Sequence, residues 1–132
     1  METLKNKTVL IADDDMDTLE QLSFQMKNMG MNVLAAESQK EAEDIIEKTK
    51  PDLAIFDLMM DNRDSGFILS YKLKKKYPDV PVIIATAVTA DTGMMFGLES
   101  IEEKSWIKAD LYLEKGLRPE QLQMEIKKLL KL

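Results

Sequence analysis

The residues of this sequence best suited to chemistry are carboxylates, a hydroxyl and an amine, and each follows a short apolar run. They are Asp13, Asp14, Asp57, Thr86 and Lys115. Carboxylates packed together repel one another strongly, so such a cluster persists only if a cation neutralises it. A small set of oxygen ligands favours Mg²⁺, which keeps several waters and is completed by a phosphate. A carboxylate beside Mg²⁺ and a lysine can attack a phosphoryl group, whose oxygens a hydroxyl then helps to hold.

Each of these residues, taken singly, also has an ordinary structural explanation. The aspartates at 13–15 favour the positive N-terminus of a following helix, and an aspartate after a strand is often a turn residue. Thr86 could be only a strand residue, and Lys115 only a solvated amine. What favours chemistry is their joint placement after separate apolar runs.

The composition bounds the classes of function that the chain can have. Its 132 residues, 45% hydrophobic and 32% charged, fit one globular domain. The sequence has no cysteine and no histidine, which excludes thiolate nucleophiles, imidazole bases and their metal sites. A net charge of -6 argues against direct nucleic-acid binding, and the densest basic patch, at 72–76, is predicted to be a solvated helix face. Residues 1–7 lack an apolar signal core and no segment reaches membrane-spanning length, so we expect a cytoplasmic protein with no membrane partner.

Apolar runs alternate with segments of helical periodicity along the whole chain. The predicted strands are 8–12, 32–36, 53–57, 80–87 and 109–113. The predicted helices are 16–29, 38–50, 67–77, a segment within 89–108, and 118–130, with a polar loop at 61–66. Asp15 and Ser38 are expected to cap the first two helices, and Gly30 to end the first. Gly93 and Gly97 each weaken the fourth helix by about 1 kcal/mol relative to alanine.

This alternation predicts a doubly wound α/β domain. Each strand is joined to the next through a helix, so the sheet should be parallel and covered on both faces. The run 53–56 is apolar throughout, as in a strand buried on both sides, and it leads directly into Asp57. Because the carboxyl ends of parallel strands share one edge, the candidate residues are expected to converge there.

Four motifs, in this order and at this spacing, resemble the receiver domain of two-component response regulators over nearly the whole chain. They are VLIADDD at 9–15, PDLAIFDLMM at 51–60, PVIIATA at 81–87 and ADLYLEK at 109–115. The resemblance implies a flavodoxin-like (βα)5 fold, a five-stranded parallel sheet with strand order 2-1-3-4-5. It also implies that residues 1–132 form a single receiver domain without an output domain.

The resemblance assigns roles to the acceptor and metal residues. Asp57 would accept a phosphoryl group from a phosphohistidine of a sensor histidine kinase or a histidine phosphotransfer protein. Asp14 would bind Mg²⁺ directly, with Asp13 acting mainly through water. Asp57 itself and the backbone carbonyl of Met59 would complete the protein ligands.

The resemblance also assigns a switch. Thr86 and Lys115 would hold the phosphoryl group, and Tyr112 would turn inward when Thr86 moves. The face formed by the fourth helix, fifth strand and fifth helix would then change, and a downstream protein would respond to it. An alternative for Tyr112 is a half-buried strand aromatic with no switching role.

The sequence departs from the family pattern in several places. Asp61 stands where the family usually has proline, in a loop one residue longer than common. Lys115 is followed by Gly116 rather than proline, and a cis bond before a non-proline residue costs about 2.5–4 kcal/mol, so we predict a trans peptide. The segment between Thr86 and Tyr112 is longer than usual, which affects the shape of the fourth helix.

We weigh a phosphoacceptor switch against other functions. A degenerate receiver that binds a partner without phosphorylation is kept open by Asp61 and Gly116. An aspartyl-phosphate hydrolase is less favoured, because the Asp-x-Asp-x-Thr/Val motif is missing after the first strand. A calcium loop starting at Asp13 fails, since its twelfth position is Phe24 rather than glutamate. We expect no enzyme activity beyond the domain's own phosphorylation and dephosphorylation.

Overall fold

A computed structural model describes residues 4–58, 60, 65–86, 110–114 and 118–131, without the side chains of 86, 112 and 114. Within these residues the chain alternates strands and helices. The strands are β1 (Thr8–Ala12), β2 (Asn32–Ala36), β3 (Leu53–Asp57), β4 (Val82–Thr86) and β5 (Leu111–Glu114). The helices are α1 (Met16–Asn28), α2 (Gln39–Lys48), α3 (Ser65–Lys76) and the C-terminal helix (Pro119–Leu130).

The strands form one five-stranded sheet in the order β2-β1-β3-β4-β5. Every neighbouring pair is parallel. Both the parallel sheet and its strand order agree with the sequence prediction. The predicted fourth helix, within 89–108, lies outside the described residues.

The sheet is buried on both faces, which explains why β1 and β3 are apolar at consecutive positions. Alternate residues of these strands point to opposite faces. Leu10 and Phe56 belong to a core with the apolar residues of α2 and α3. Ile11 and Ile55 belong to a second core with α1 and the C-terminal helix. The two helix layers therefore hold β1 and β3 in the middle of the domain.

The predicted helix caps are present. The Asp15 side chain accepts a hydrogen bond from the backbone N–H of Asp17 at 3.1 Å, and Ser38 accepts one from Glu41 at 3.1 Å. These bonds satisfy N–H groups that have no partner within the helix. Gly30 has a φ of +90° just beyond the end of α1, a conformation that favours glycine.

Three predicted element starts were wrong by two residues. Strand β4 begins at Val82 rather than at residue 80. Helix α3 begins at Ser65 rather than at residue 67, so Ser65 and Gly66 are helical and not part of the loop. Strand β5 begins at Leu111, because Asp110 caps the neighbouring strand instead of joining its own. Met16 continues the apolar spacing of Leu19, Leu22 and Met26 along α1, yet its side chain is 46% exposed. None of the described helices combines the length and apolar character that a membrane crossing requires.

Candidate phosphoacceptor and metal site

Three carboxylates meet at the carboxyl edge of the central strands. Asp57 is the last residue of β3, and Asp13 follows β1 directly. The register pairs Ala12 with Phe56, so the next residues, Asp13 and Asp57, lie side by side. One carboxylate oxygen from each of Asp13, Asp14 and Asp57 lies within 4.8 Å of the others. Topology alone therefore brings together residues that are far apart in the sequence.

The backbone around this cluster is held by hydrogen bonds from neighbouring elements. Asp13 is 1% exposed; its N–H donates to the Ala36 carbonyl at 3.1 Å, and its Oδ1 accepts from the Asp15 N–H at 2.9 Å. Asp57 is 7% exposed, and the next residue, Leu58, donates its N–H to the Ala85 carbonyl at 3.0 Å. Asp14, in contrast, is exposed. The cluster thus has two buried carboxylates and one that faces solvent.

The first turn of α3 packs directly against the end of β3. The Gly66 N–H donates to the Leu58 carbonyl at 2.9 Å. A Cβ atom at Gly66 would lie 2.7 Å from the Asp57 carbonyl oxygen and 2.9 Å from the Leu58 Cα. Only glycine permits this approach without a backbone shift. The position of α3 and the position of the Asp57 peptide are therefore linked.

The charge of the cluster calls for a cation. Two unit charges 4.8 Å apart repel by about 3.5 kcal/mol at an effective dielectric constant near 20. A small hard cation removes this repulsion, and all the ligand atoms offered are oxygens, which suits Mg²⁺. The solvent-facing Asp14 leaves an open side for waters or a phosphate. The residues present therefore fit a Mg²⁺ site with Asp13, Asp14 and Asp57 as ligands.

Comparison with known proteins agrees with this geometry. The family model for the response regulator receiver domain matches residues 9–127. The chain belongs to this family. The match runs from β1 into the C-terminal helix and includes all three carboxylates of the cluster.

Relatives of this receiver domain include a regulator from Pseudomonas aeruginosa, the phosphate regulon transcriptional regulatory protein PhoB. The two are 32% identical over 127 residues, which cover 95% of this chain and 52% of PhoB. The receiver domain thus spans about half the length of that relative.

Solved structures show the same fold. A CheY-like receiver domain protein from Methanospirillum hungatei is 27% identical with a TM-score of 0.80, covering 96% of this chain and 95% of its own. The Thermotoga maritima response regulator TrrA, solved with Mg²⁺ and BeF, is 26% identical with a TM-score of 0.77, covering 93% of this chain and 98% of its own.

The remaining predicted site residues of this receiver domain are described less fully. Thr86 ends β4, one residue beyond Ala85, the partner of Asp57 in the sheet. Tyr112 lies in β5 opposite Ile84 of β4. The side chains of Thr86 and Tyr112 lie outside the described part of the structure.

Several other sequence predictions fall on residues that are not described. They are the metal-ligand role of Met59, the charge of Asp61, the phosphoryl-binding role of Lys115 and the trans peptide before Gly116. These predictions stand as they were made.

Residues that the sequence did not single out also contribute to the site. Gly66 sets the contact between α3 and Asp57, and Ser65 and Gln39 join that turn to α2. A glycine shortly after a strand-ending aspartate was a visible signal, but it indicated a turn. Ser65 and Gln39 carried no signal, because their hydrogen bond joins two helices whose relative placement the sequence does not show.

Proposed function

We propose that this chain is a phosphoacceptor receiver, in which Asp57 takes a phosphoryl group from a phosphohistidine of a partner protein. The observation that carries the proposal is the cluster of Asp13, Asp14 and Asp57, whose carboxylate oxygens lie within 4.8 Å of one another at the edge of the sheet. Membership of the receiver family and the Mg²⁺ and BeF in the TrrA structure support it. The partner class is a sensor histidine kinase or a histidine phosphotransfer protein.

The chemistry is the transfer of a phosphoryl group from nitrogen to oxygen. A carboxylate oxygen of Asp57 forms a bond to phosphorus while the bond from phosphorus to the imidazole nitrogen of the partner breaks. The partner's imidazole carries a proton on its other ring nitrogen, so it takes the electron pair of the broken bond and leaves as neutral histidine, and the product is an acyl phosphate. Mg²⁺, when bound, neutralises the negative charge shared by the carboxylates and the phosphoryl oxygens.

The chain's own residues prepare this step. Asp13 and Asp14 would hold the cation beside Asp57, where its charge would offset the repulsion among the three carboxylates. Because Asp57 is buried, its carboxylate has few alternative positions, which reduces the entropic cost of reaching the geometry for attack. We assign the phosphoryl oxygens to Thr86 and Lys115, as the family resemblance implies.

Phosphorylation would then act as a two-state switch. We propose that Thr86 follows the phosphoryl group and that Tyr112 responds, which shifts the population of the signalling face. A downstream protein recognises that face. The chain works in the cytoplasm, without direct contact to nucleic acid or membrane, and it turns over no substrate other than its own phosphoryl group.

Intact-mass measurement tests this function. The protein is incubated with Mg²⁺ and acetyl phosphate, and the wild type is compared with Asp57→Asn. A single phosphoryl adduct on the wild type, absent from the variant and absent after chelation of Mg²⁺, is the expected result.

Two other outcomes would refute the proposal in different directions. Rapid consumption of acetyl phosphate with no adduct would indicate a hydrolase. No adduct and no consumption, with Mg²⁺ present, would indicate a binding module that acts without phosphorylation.

A further inference from the structure

A chain of polar contacts joins α2 to α3 next to the phosphoacceptor. The Ser65 hydroxyl donates to Gln39 Oε1 at 2.8 Å, and Gln39 Nε2 donates to Glu43 Oε2 at 2.9 Å. Lys72 then donates to the same Glu43 oxygen at 2.8 Å. Ser65 is fully buried, whereas the Lys72 side chain is 50% exposed. The contacts therefore run from the interior of the domain to its surface.

The buried end of this series of polar contacts, at Ser65, is connected to Asp57 through the backbone of α3. Ser65 is the first residue of α3, and the next residue, Gly66, bonds the Leu58 carbonyl and approaches the Asp57 carbonyl more closely than a side chain would allow. A shift in the first turn of α3 therefore shifts the Asp57 peptide as well. The hydrogen bond from Ser65 to Gln39 is a tether on that turn.

Gln39 is well placed to act as the fixed point of the tether. It is the first residue of α2, directly after the cap Ser38. The strand that leads into α2 ends at Ala36, whose carbonyl accepts the Asp13 N–H at 3.1 Å. One short segment of chain thus contacts the strand end that carries Asp13 and the helix turn that packs on Asp57.

At the exposed end of the polar contacts, Glu43 holds the Gln39 amide in one orientation. An amide can present either its oxygen or its nitrogen to Ser65. The carboxylate of Glu43 accepts only, so it fixes the nitrogen toward itself and the oxygen toward Ser65. Glu43 is ionised at neutral pH, and its hydrogen bond with Lys72, and then that with Gln39, lowers its pKa further.

We propose that Gln39 is a positioning residue for the phosphoacceptor site: through Ser65 it fixes the first turn of α3 and thereby the distance of Asp57 from Asp13 and Asp14. This deepens the proposed function and rests on it. Gln39 would act through Ser65 and α3, not as a ligand of the cation or the phosphoryl group. Its contribution is to remove alternative positions of Asp57, so that the three carboxylates are ready for the cation.

Matched variants on one helix test the proposal. Ser65→Ala removes the tether, while Ser70→Ala makes the same change at another fully buried serine of α3, whose hydroxyl has no hydrogen-bond partner in the described structure. Gln39→Met removes the acceptor without adding charge. Mg²⁺ affinity is measured by calorimetry on each protein, and exchange of the Gly66 amide is followed by NMR.

We expect Ser65→Ala and Gln39→Met each to weaken Mg²⁺ binding about fivefold, the scale of one neutral hydrogen bond, and to speed exchange at Gly66. The double variant should weaken binding no further than either single change, because both remove the same bond. Ser70→Ala should leave Mg²⁺ affinity and Gly66 exchange as in the wild type.

The outcomes separate this proposal from the proposed function. A wild type that binds Mg²⁺ and accepts phosphate, with Ser65→Ala and Gln39→Met binding Mg²⁺ equally well, overturns the positioning role alone. Additive effects in the double variant, or equal losses in Ser70→Ala, would also overturn it, because they indicate general loosening of the core. A wild type that neither binds Mg²⁺ nor accepts phosphate overturns the proposed function itself.

Discussion

Replacing Gly66 by alanine is the most direct way to disturb the phosphoacceptor without touching a charged residue. The added Cβ would lie 2.7 Å from the Asp57 carbonyl oxygen, and ordinary contact begins at 3.4 Å. The obstructing atoms are backbone, which cannot rotate away as a flexible side chain can. The first turn of α3 and the end of β3 must therefore separate by several tenths of an ångström.

The structure gives the size of the effect. Overpacking of this kind costs about 1–3 kcal/mol, and alanine returns less than about 1 kcal/mol through its helix propensity at a helix end. A net loss of about 2 kcal/mol corresponds to a midpoint about 7 °C lower for a domain of this length. Because the displaced peptide is that of Asp57, we also expect Mg²⁺ binding to weaken about tenfold, as for other residues that support a metal ligand.

Gly30→Ala is the control for the Gly66 variant. Its φ of +90° makes a side chain costly there, by about 1–2 kcal/mol, but Gly30 lies beyond the end of α1 and away from the carboxylates. Thermal unfolding should show a similar decrease of the midpoint temperature for both variants. Calorimetry should show weaker Mg²⁺ binding only for Gly66→Ala. Equal Mg²⁺ affinity in the two variants would refute the link between α3 and Asp57.

Further predictions concern charge. Asp14→Asn should raise the unfolding midpoint in the absence of Mg²⁺, because it relieves repulsion among the carboxylates. In the wild type, Mg²⁺ at ten times its dissociation constant should add about 1.4 kcal/mol to the free energy of unfolding, and the variant should lack this gain. Scanning calorimetry with and without Mg²⁺ measures both effects. Asp110→Ala removes the partner of Lys74 and the acceptor of the Val82 N–H in β4. Urea unfolding should show a free energy of unfolding lower by about 2–3 kcal/mol. A decrease below about 0.5 kcal/mol would contradict this expectation. Lys72→Met should reduce the lowering of the Glu43 pKa. This pair stabilises the protein above the ordinary carboxyl pKa and ceases to do so as the pH falls through the folded pKa. The variant should therefore be slightly less stable than the wild type at pH 7, and the difference should vanish once the pH lies below the folded pKa. A deficit that persists in acid would show that packing, not charge, was lost.

Much of the fold could be predicted from the sequence, because each element carries its own local signal. The alternation of apolar runs with helical periodicity gives the parallel sheet, and the caps Asp15 and Ser38 were visible as residue types at helix starts. The convergence of Asp13, Asp14 and Asp57 followed from the rule that parallel strands share a carboxyl edge. These predictions needed no knowledge of which helix packs where.

The rest could not be predicted, because it depends on contacts between distant elements. In the sequence, Gly66 indicates only a turn. In the structure, this position requires glycine because a Cβ there would collide with the Asp57 carbonyl oxygen. Lys74 was assigned to a solvated basic face, but its side chain is only 13% exposed and pairs with Asp110 at 2.7 Å. Ser65 and Gln39 meet across two helices, and nothing in the local sequence of either residue indicates the other.

Two aspartates at the edge of the sheet opposite the carboxylates have a structural role. Asp52, just before β3, donates its N–H to the Thr8 carbonyl at 2.8 Å, and its side chain accepts the Thr8 N–H at 2.8 Å. Asp110 makes the same pair of bonds with Val82, at 2.9 and 2.8 Å. Each aspartate closes the ladder where a strand begins, so these bonds favour the observed register of β1 with β3 and of β4 with β5. At the carboxyl edge the acidic residues have a different setting, since Asp13, Asp14 and Asp57 gather there within 4.8 Å of one another and repel. The acidic residues of the two edges thus differ in their surroundings, hydrogen-bonded at the first edge and clustered at the second. Removing an acidic residue should therefore cost stability at the first edge and relieve repulsion at the second.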